Sequence, residues 1–318
     1  MSYFDRLPTA LLVSIVEFIS PIEYELKPWA RYFSDKLNLN VLCSNPNAVS
    51  ILRRKPIHQL NMTKLSTNPN PDIFPILLKR KEEMDMTFIC RLMYPEAVNY
   101  AEKSIHKLDV YARTSLLQNP SAIHMVEKYF EIPYLRHCEE LSANPSAVPL
   151  LLKYPSLVNG KGLSRNPSPE AFPLILHYHE HGVRETCLDH TWLCLNRNPD
   201  VVRWLAPRLT PADACWISFN PSAIFLLEEQ WLLRDWSSLS INPGAIDMLL
   251  SSPTRIDWTM AVRNPNLSKL IENIPYGVFR IPLDQIAALS ANPDLFEISP
   301  SLRNKTINEY VQCISSNQ

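Results

Sequence analysis

Hydrophobic residues in this chain fall in short clusters that repeat. A cluster opens with a leucine, as at Leu116, Leu141 and Leu163. Six residues later come an alanine and often a β-branched residue, as at Ala122-Ile123, Ala147-Val148 and Ala223-Ile224. A further aliphatic follows three residues on, as at Val126, Leu151 and Leu227. Such offsets share one helical face. Between the opening leucine and the alanine stands Asn-Pro, ten times, with its proline at Pro46, Pro69, Pro120, Pro145, Pro167, Pro199, Pro221, Pro243, Pro265 and Pro293. Tyr94-Pro95 fills the largest gap and brings the count to eleven units. Aligned on the proline, the opening position is leucine or Ile217 in every unit but two, where Arg91 and Ala261 stand.

Asparagine caps helices well, and proline suits the first helical position, so Asn-Pro predicts a helix start. A second proline often stops that helix, as at Pro56, Pro155, Pro253 and Pro275. A second short apolar segment, such as residues 255–262, leads into the next unit. Each unit therefore reads as two short helices and two tight turns. Helices this short are marginal alone, and stacking completes their core. The expected fold is all-α, an α-solenoid of about eleven helix pairs over residues 41–298. A helical cap over 1–40 and a cap or tail over 299–318 flank it. With helices ~8–10 Å apart, the array would make an open rod or superhelix on the order of 100 Å long. A stack of like units offers surface rather than a catalytic cleft, so an enzyme is not expected.

Five glycines and 28 prolines suit a chain punctuated by proline caps. The formal net charge of −1 gives no global field for nucleic acid. One local cluster departs from this: Arg53, Arg54, Lys55, Lys64, Lys79, Arg80 and Lys81 face a single acid, Asp72. It is either a solvated face or a patch for phosphate, RNA or an acidic partner. Seven cysteines, an odd number without a Cys-x-x-Cys pair, argue against a disulfide framework and for a reducing compartment. No stretch reaches the ~20 apolar residues of a membrane span, and no secretory signal is expected at the start.

The first forty residues carry no Asn-Pro. Apolar positions 11, 12, 15, 18 and 19 share one helical face that stops at Ser20-Pro21. The order of Leu7, Pro8, Leu11, Leu12, Ile15 and Phe18 resembles the opening of an F-box, a helical module that docks on the adaptor of a cullin-type ubiquitin ligase. By that likeness those six residues would face the adaptor. Pro28 departs from it by interrupting the second helix the family needs. The same segment serves equally as a cap for the end of the array. The units themselves, such as Leu141-Ser-Ala-Asn-Pro-Ser-Ala-Val148 and Leu239-Ser-Ile-Asn-Pro-Gly-Ala-Ile246, resemble tandem repeats abundant in proteins of large DNA viruses of eukaryotes. That resemblance covers about residues 40–298 and implies a viral protein, placed in the virion or the host cytoplasm.

One constellation bears on metal chemistry. His177, His181, Cys187 and His190, with Cys194 nearby, supply donors for tetrahedral zinc. They lie in the longest unit, but their spacing matches no standard zinc signature. Gly160-Lys161-Gly162 is too short to cradle phosphate, and no cofactor pattern is present. Trp192, Trp236 and Trp258 stand seven residues before an Asn-Pro and read as core packing. The expected function is a non-enzymatic scaffold that binds other proteins, in its specific version a minor capsid or capsid-associated component. The alternatives are an F-box-like substrate receptor and a nucleic-acid binder acting through the basic cluster.

Overall fold

The computed structural model describes residues 24–28, 30–183, 186–274, 281 and 285–299. Nearly all its regular structure is helical, in short α-helices and 3₁₀ turns, as the periodicity predicts. The exceptions are two three-residue strands, β1 (Tyr24–Leu26) and β2 (Phe296–Ile298).

Each unit carries an inner helix, then an asparagine, then an outer helix. In one unit these are Ala214–Phe219, Asn220 and Ile224–Glu229. In the next they are Trp236–Ile241, Asn242 and Ile246–Ser251. The inner helices open on a side-chain cap, for example Asn61, Asp109, Asn159, Asp235 and Asp257. Buried leucines at Leu65, Leu116, Leu141, Leu163 and Leu239 face the core from these helices.

The asparagine of Asn-Pro does more than cap. Its Oδ1 accepts the amide two residues on, as Asn220 does from Ser222 at 2.9 Å. Its Nδ2 reaches back to two carbonyls of the preceding unit. Asn220 donates to the carbonyls of Cys194 and Asn196 at 2.8 and 2.7 Å. Asn166 donates to Ser142 and Asn144, and Asn264 to Ser240 and Asn242. Those acceptors lie where an inner helix ends and its last carbonyls lack a helical partner. The asparagines are almost wholly buried, so both amide hydrogens must be satisfied inside the protein. A second series runs the other way: Ser142, Ser164, Ser218 and Ser240 accept, through Oγ, the backbone amide of the next unit's capping residue at 2.8–2.9 Å.

Both series close on themselves. Asn45, in the first unit, donates to the carbonyls of Ser290 and Asn292, in the last, at 3.0 and 2.9 Å. The Asn38 amide donates to Ser290 Oγ at 2.9 Å. β1 pairs antiparallel with β2, Glu25 opposite Glu297. Leu42, Leu65, Leu289 and Phe296 share one apolar cluster. The rod or superhelix with separated ends expected from repeat spacing is corrected by these contacts, which bring the first unit against the last. Residues 24–26 are likewise a strand joined to the far end rather than part of a helical cap, and 296–298 close the array as a strand.

The ladder also corrects the register of two units. Asn196, not Asn198, makes the bridging bonds, to Ser164 and Asn166. The core leucine there is therefore Leu193, at 4% exposure, and not Leu195. In the Tyr94-Pro95 unit the ladder position is Leu92, since Asn119 donates to Cys90 and Leu92. Ile89 then fills the core position, and Arg91 is no exception to the pattern but a surface residue. Leu92 has no amide to donate, so this one step lacks the asparagine bridge. Phe74 packs edge-on against Tyr94 and Tyr100 across it, with ring centroids 5.8 Å apart.

The expected helix start is met at Pro120, Pro145, Pro199, Pro221 and Pro293, which begin a 3₁₀ or α turn. Pro46, Pro69, Pro167, Pro243 and Pro265 lie in the turn just before it.

Candidate protein-binding surface on the inner face

Successive inner helices pack side by side, including the first, Leu39–Leu42, against the last, Ile286–Ser290. Among the described residues, neighbouring outer helices stand farther apart, except Ile246–Ser251 and Leu267–Asn273, which pack together. A row of units that is tighter on one side curves toward that side, so the inner helices and the ladder form the concave face. The residues immediately before and after each ladder position border this face.

A hollow of about 380 Å³ lies on this side. Its walls come from the four consecutive units of Asn196, Asn220, Asn242 and Asn264, as expected of a concave side. Leu195, Phe219 and Ile241 form an apolar strip, with Trp192 beside it. Pro221, Pro243 and Pro265 supply a stiff floor. Arg197 stands in the first of these units and Arg263 in the last, so two cations bracket the strip. Phe219 is 44% exposed, and Trp216 on the same inner helix equally so. Arg165 stacks over Trp192, its charge 5.0 Å from the ring centroid, and pairs with Glu139 at 2.9 Å.

The sequence-predicted sites fare differently. Leu7, Pro8, Leu11, Leu12, Ile15 and Phe18 lie outside the described residues. The basic cluster is real but partly neutralised: Arg53 pairs with Asp72 at 3.4 Å, and Arg80 Nε donates to Glu83 at 2.7 Å. All but Lys64, which lies in the inner helix Met62–Ser66, sit at the C-terminal ends of the outer helices Val49–Arg53 and Phe74–Leu78 and just beyond them, where positive charge complements the helix dipole. Arg54, Lys55, Lys79 and Lys81 are exposed there, away from the hollow.

The four zinc candidates do not converge. His177 and His181 stack on each other, 5.0 Å between centroids. Cys187 is exposed, with its Sγ near its own neighbour's carbonyl. His190 instead meets Cys194 and Asp213, the three donor atoms lying within 4.8 Å of one another. This grouping follows from the repeat: Cys194 holds the position of the bridging serines, and Asp213 that of the next unit's capping residue. Both Asp213 oxygens are already engaged, by the Thr210 amide and hydroxyl and by His190 Nε2 at 2.8–2.9 Å. Burial, with the charges of Asp213 and Asp189, pushes the Cys194 thiol up to about 12.

Sequence reasoning missed the ladder's bridging role and the inner-face arginines. The signal for the first was present: an asparagine set among core positions needs partners for two donors, and a cap uses only its oxygen. Among the described residues, no helix is long and apolar enough to cross a membrane. All described cysteines are free. Comparison with protein-family models, with curated proteins and with solved structures returned no match.

Proposed function

We propose that this chain is a non-enzymatic helical-repeat scaffold, an α-solenoid drawn into a ring, that binds other proteins on its inner face. The observation that carries this reading is the hollow shared by four consecutive units, with Phe219 exposed and Ile241 half-buried beside a rigid proline floor. Exposed aromatic and aliphatic side chains held in a concave, preformed surface are what protein recognition uses. In its specific form the scaffold is a minor capsid or capsid-associated protein of a large DNA virus. The likeness of its Leu-Ser-x-Asn-Pro-x-Ala units to repeats of such viruses supports that version.

The test is recovery of the tagged protein from its native source with cross-linked partners. Phe219→Asp, on the inner face, should abolish recovery of the partner, and Phe225→Asp, on the outer helix, should leave it. Loss of neither, or of both alike with intact thermal melts, refutes an inner-face scaffold. Absence of the protein from purified particles refutes the virion version.

A further inference from the structure

The inner rim carries charge of one sign. The residues immediately flanking the eleven ladder positions include four arginines, Arg91, Arg165, Arg197 and Arg263, and no aspartate or glutamate. The chain as a whole has 31 basic and 32 acidic residues, so the bias is local to this rim. Two of the four are engaged within the protein: Arg165 pairs with Glu139, and Arg91 lies over Phe88 while donating to Ser115. The other two are the pair that brackets the hollow. Arg263 reaches only the Thr259 carbonyl and the Met260 sulfur, and neither it nor Arg197 meets a carboxylate among the described residues. Both are exposed.

We infer that the hollow takes an extended acidic peptide segment, in which one or two apolar side chains are flanked on each side by a carboxylate. The inference rests on the scaffold reading and names the chemistry of its partner. Leu195, Phe219 and Ile241 would bury the apolar side chains, and the guanidiniums of Arg197 and Arg263 would each receive a carboxylate, which a planar guanidinium binds in a two-point fork. Nucleic acid fits less well. A strand of phosphates needs cations along its whole course, whereas here an apolar strip spans the two units between them.

The test uses the full chain and a pool of fluorescein-labelled peptides in which leucine and phenylalanine are flanked on both sides by aspartate. Anisotropy should show saturable binding that weakens with salt. Arg197→Glu with Arg263→Glu should weaken it at least tenfold, and Arg203→Glu on an outer helix should not. A pool with lysine in place of aspartate should bind the doubly reversed variant better than the wild type. Both variants should melt with the wild type, since none of these arginines is buried. No binding of the aspartate pool, equal binding of the lysine pool by the wild type, or a single-stranded oligonucleotide that outcompetes the aspartate pool would each overturn the inference. Should the pool fail while Phe219→Asp still releases the native partner, the scaffold stands and the partner's assigned chemistry falls.

Discussion

The side-chain amide of Asn45 donates to the backbone carbonyl of Asn292, 247 residues away in the chain, at 2.9 Å. The same bond links Asn68 to Asn45 and Asn292 to Asn264. The junction between the ends is thus made by the same device as the joints between neighbours. A closed array has no terminal unit whose core faces water, so it does not need the capping repeats an open stack requires.

The two jobs of the ladder asparagine separate by substitution. Asn220→Asp keeps the oxygen that caps the Ser222 amide and loses both donors. It also sets a carboxylate against the carbonyls of Cys194 and Asn196. If capping were the main role, aspartate would be neutral and alanine would cost ~1 kcal/mol. Two buried carbonyls left unpaired cost ~1–3 kcal/mol each. Denaturant melts should therefore show both variants destabilised by about 3 kcal/mol, with aspartate at least as damaging as alanine.

The Leu92 step offers the converse experiment. Leu92→Asn supplies the missing donors toward the carbonyls of the preceding unit at the expense of a leucine 6% exposed. The gain of two hydrogen bonds at ~1 kcal/mol each roughly offsets the lost burial of ~2 kcal/mol. The variant should fall within about 1 kcal/mol of the wild type. Ile89→Asn, at a fully buried core position with no ladder role, should cost more than about 3 kcal/mol.

Asp213 gives a pH signature. Desolvation pushes its carboxyl up, but the Thr210 amide and hydroxyl and the charge of His190 outweigh this and hold it below its ordinary 3.8. A depressed carboxylate contributes stability above its unfolded pKa and loses it as pH falls through the folded one. Asp213→Asn should lower the melting temperature at pH 7, and the gap to wild type should shrink as the pH falls through and below the ordinary carboxylate range.

Thiol reactivity reports the packing of the bridging position. Cys43, Cys90 and Cys194 hold it in three units, fully buried; burial raises all three thiols, those of Cys90 and Cys194 to about 12. Iodoacetamide at pH 8 should modify the exposed Cys187 and Cys215 and leave Cys43, Cys90 and Cys194 unmodified until denaturant is added. Peptide mapping by mass spectrometry reads the outcome.

Local chemistry was legible in the sequence and global geometry was not. The periodicity around Leu141, Ala147 and Leu151 located two helices per unit, because those residues share a helical face whatever the neighbouring units do. The misplaced register at Asn198 arose because Asn196-Arg197-Asn198-Pro199 offers two asparagines, and both reach the preceding unit; only Asn196 makes the paired bonds of the ladder, to Ser164 and Asn166, while Asn198 donates to Ser168. Closure depends on the summed rotation of eleven steps, which no single motif encodes. The inner-face site was hidden for the same reason: Arg197 and Arg263 are 66 residues apart (263 − 197) and meet one hollow only once the array curves. His177, His181 and His190 are close in sequence but do not converge, because the first two lie on one helix and His190 on another.

Ring closure requires that the two ends of the array be neighbours. Glu25 and Glu297 stand opposite each other in the β1–β2 pair, where Cα atoms are ~4.5–5.5 Å apart and a disulfide is geometrically feasible. Mild oxidation of the Glu25→Cys, Glu297→Cys double variant, followed by peptide mapping of the monomer, tests this directly. A closed ring predicts a near-quantitative intramolecular disulfide between the two introduced thiols. An open array predicts free thiols or cross-links between chains only, and that result would contradict closure.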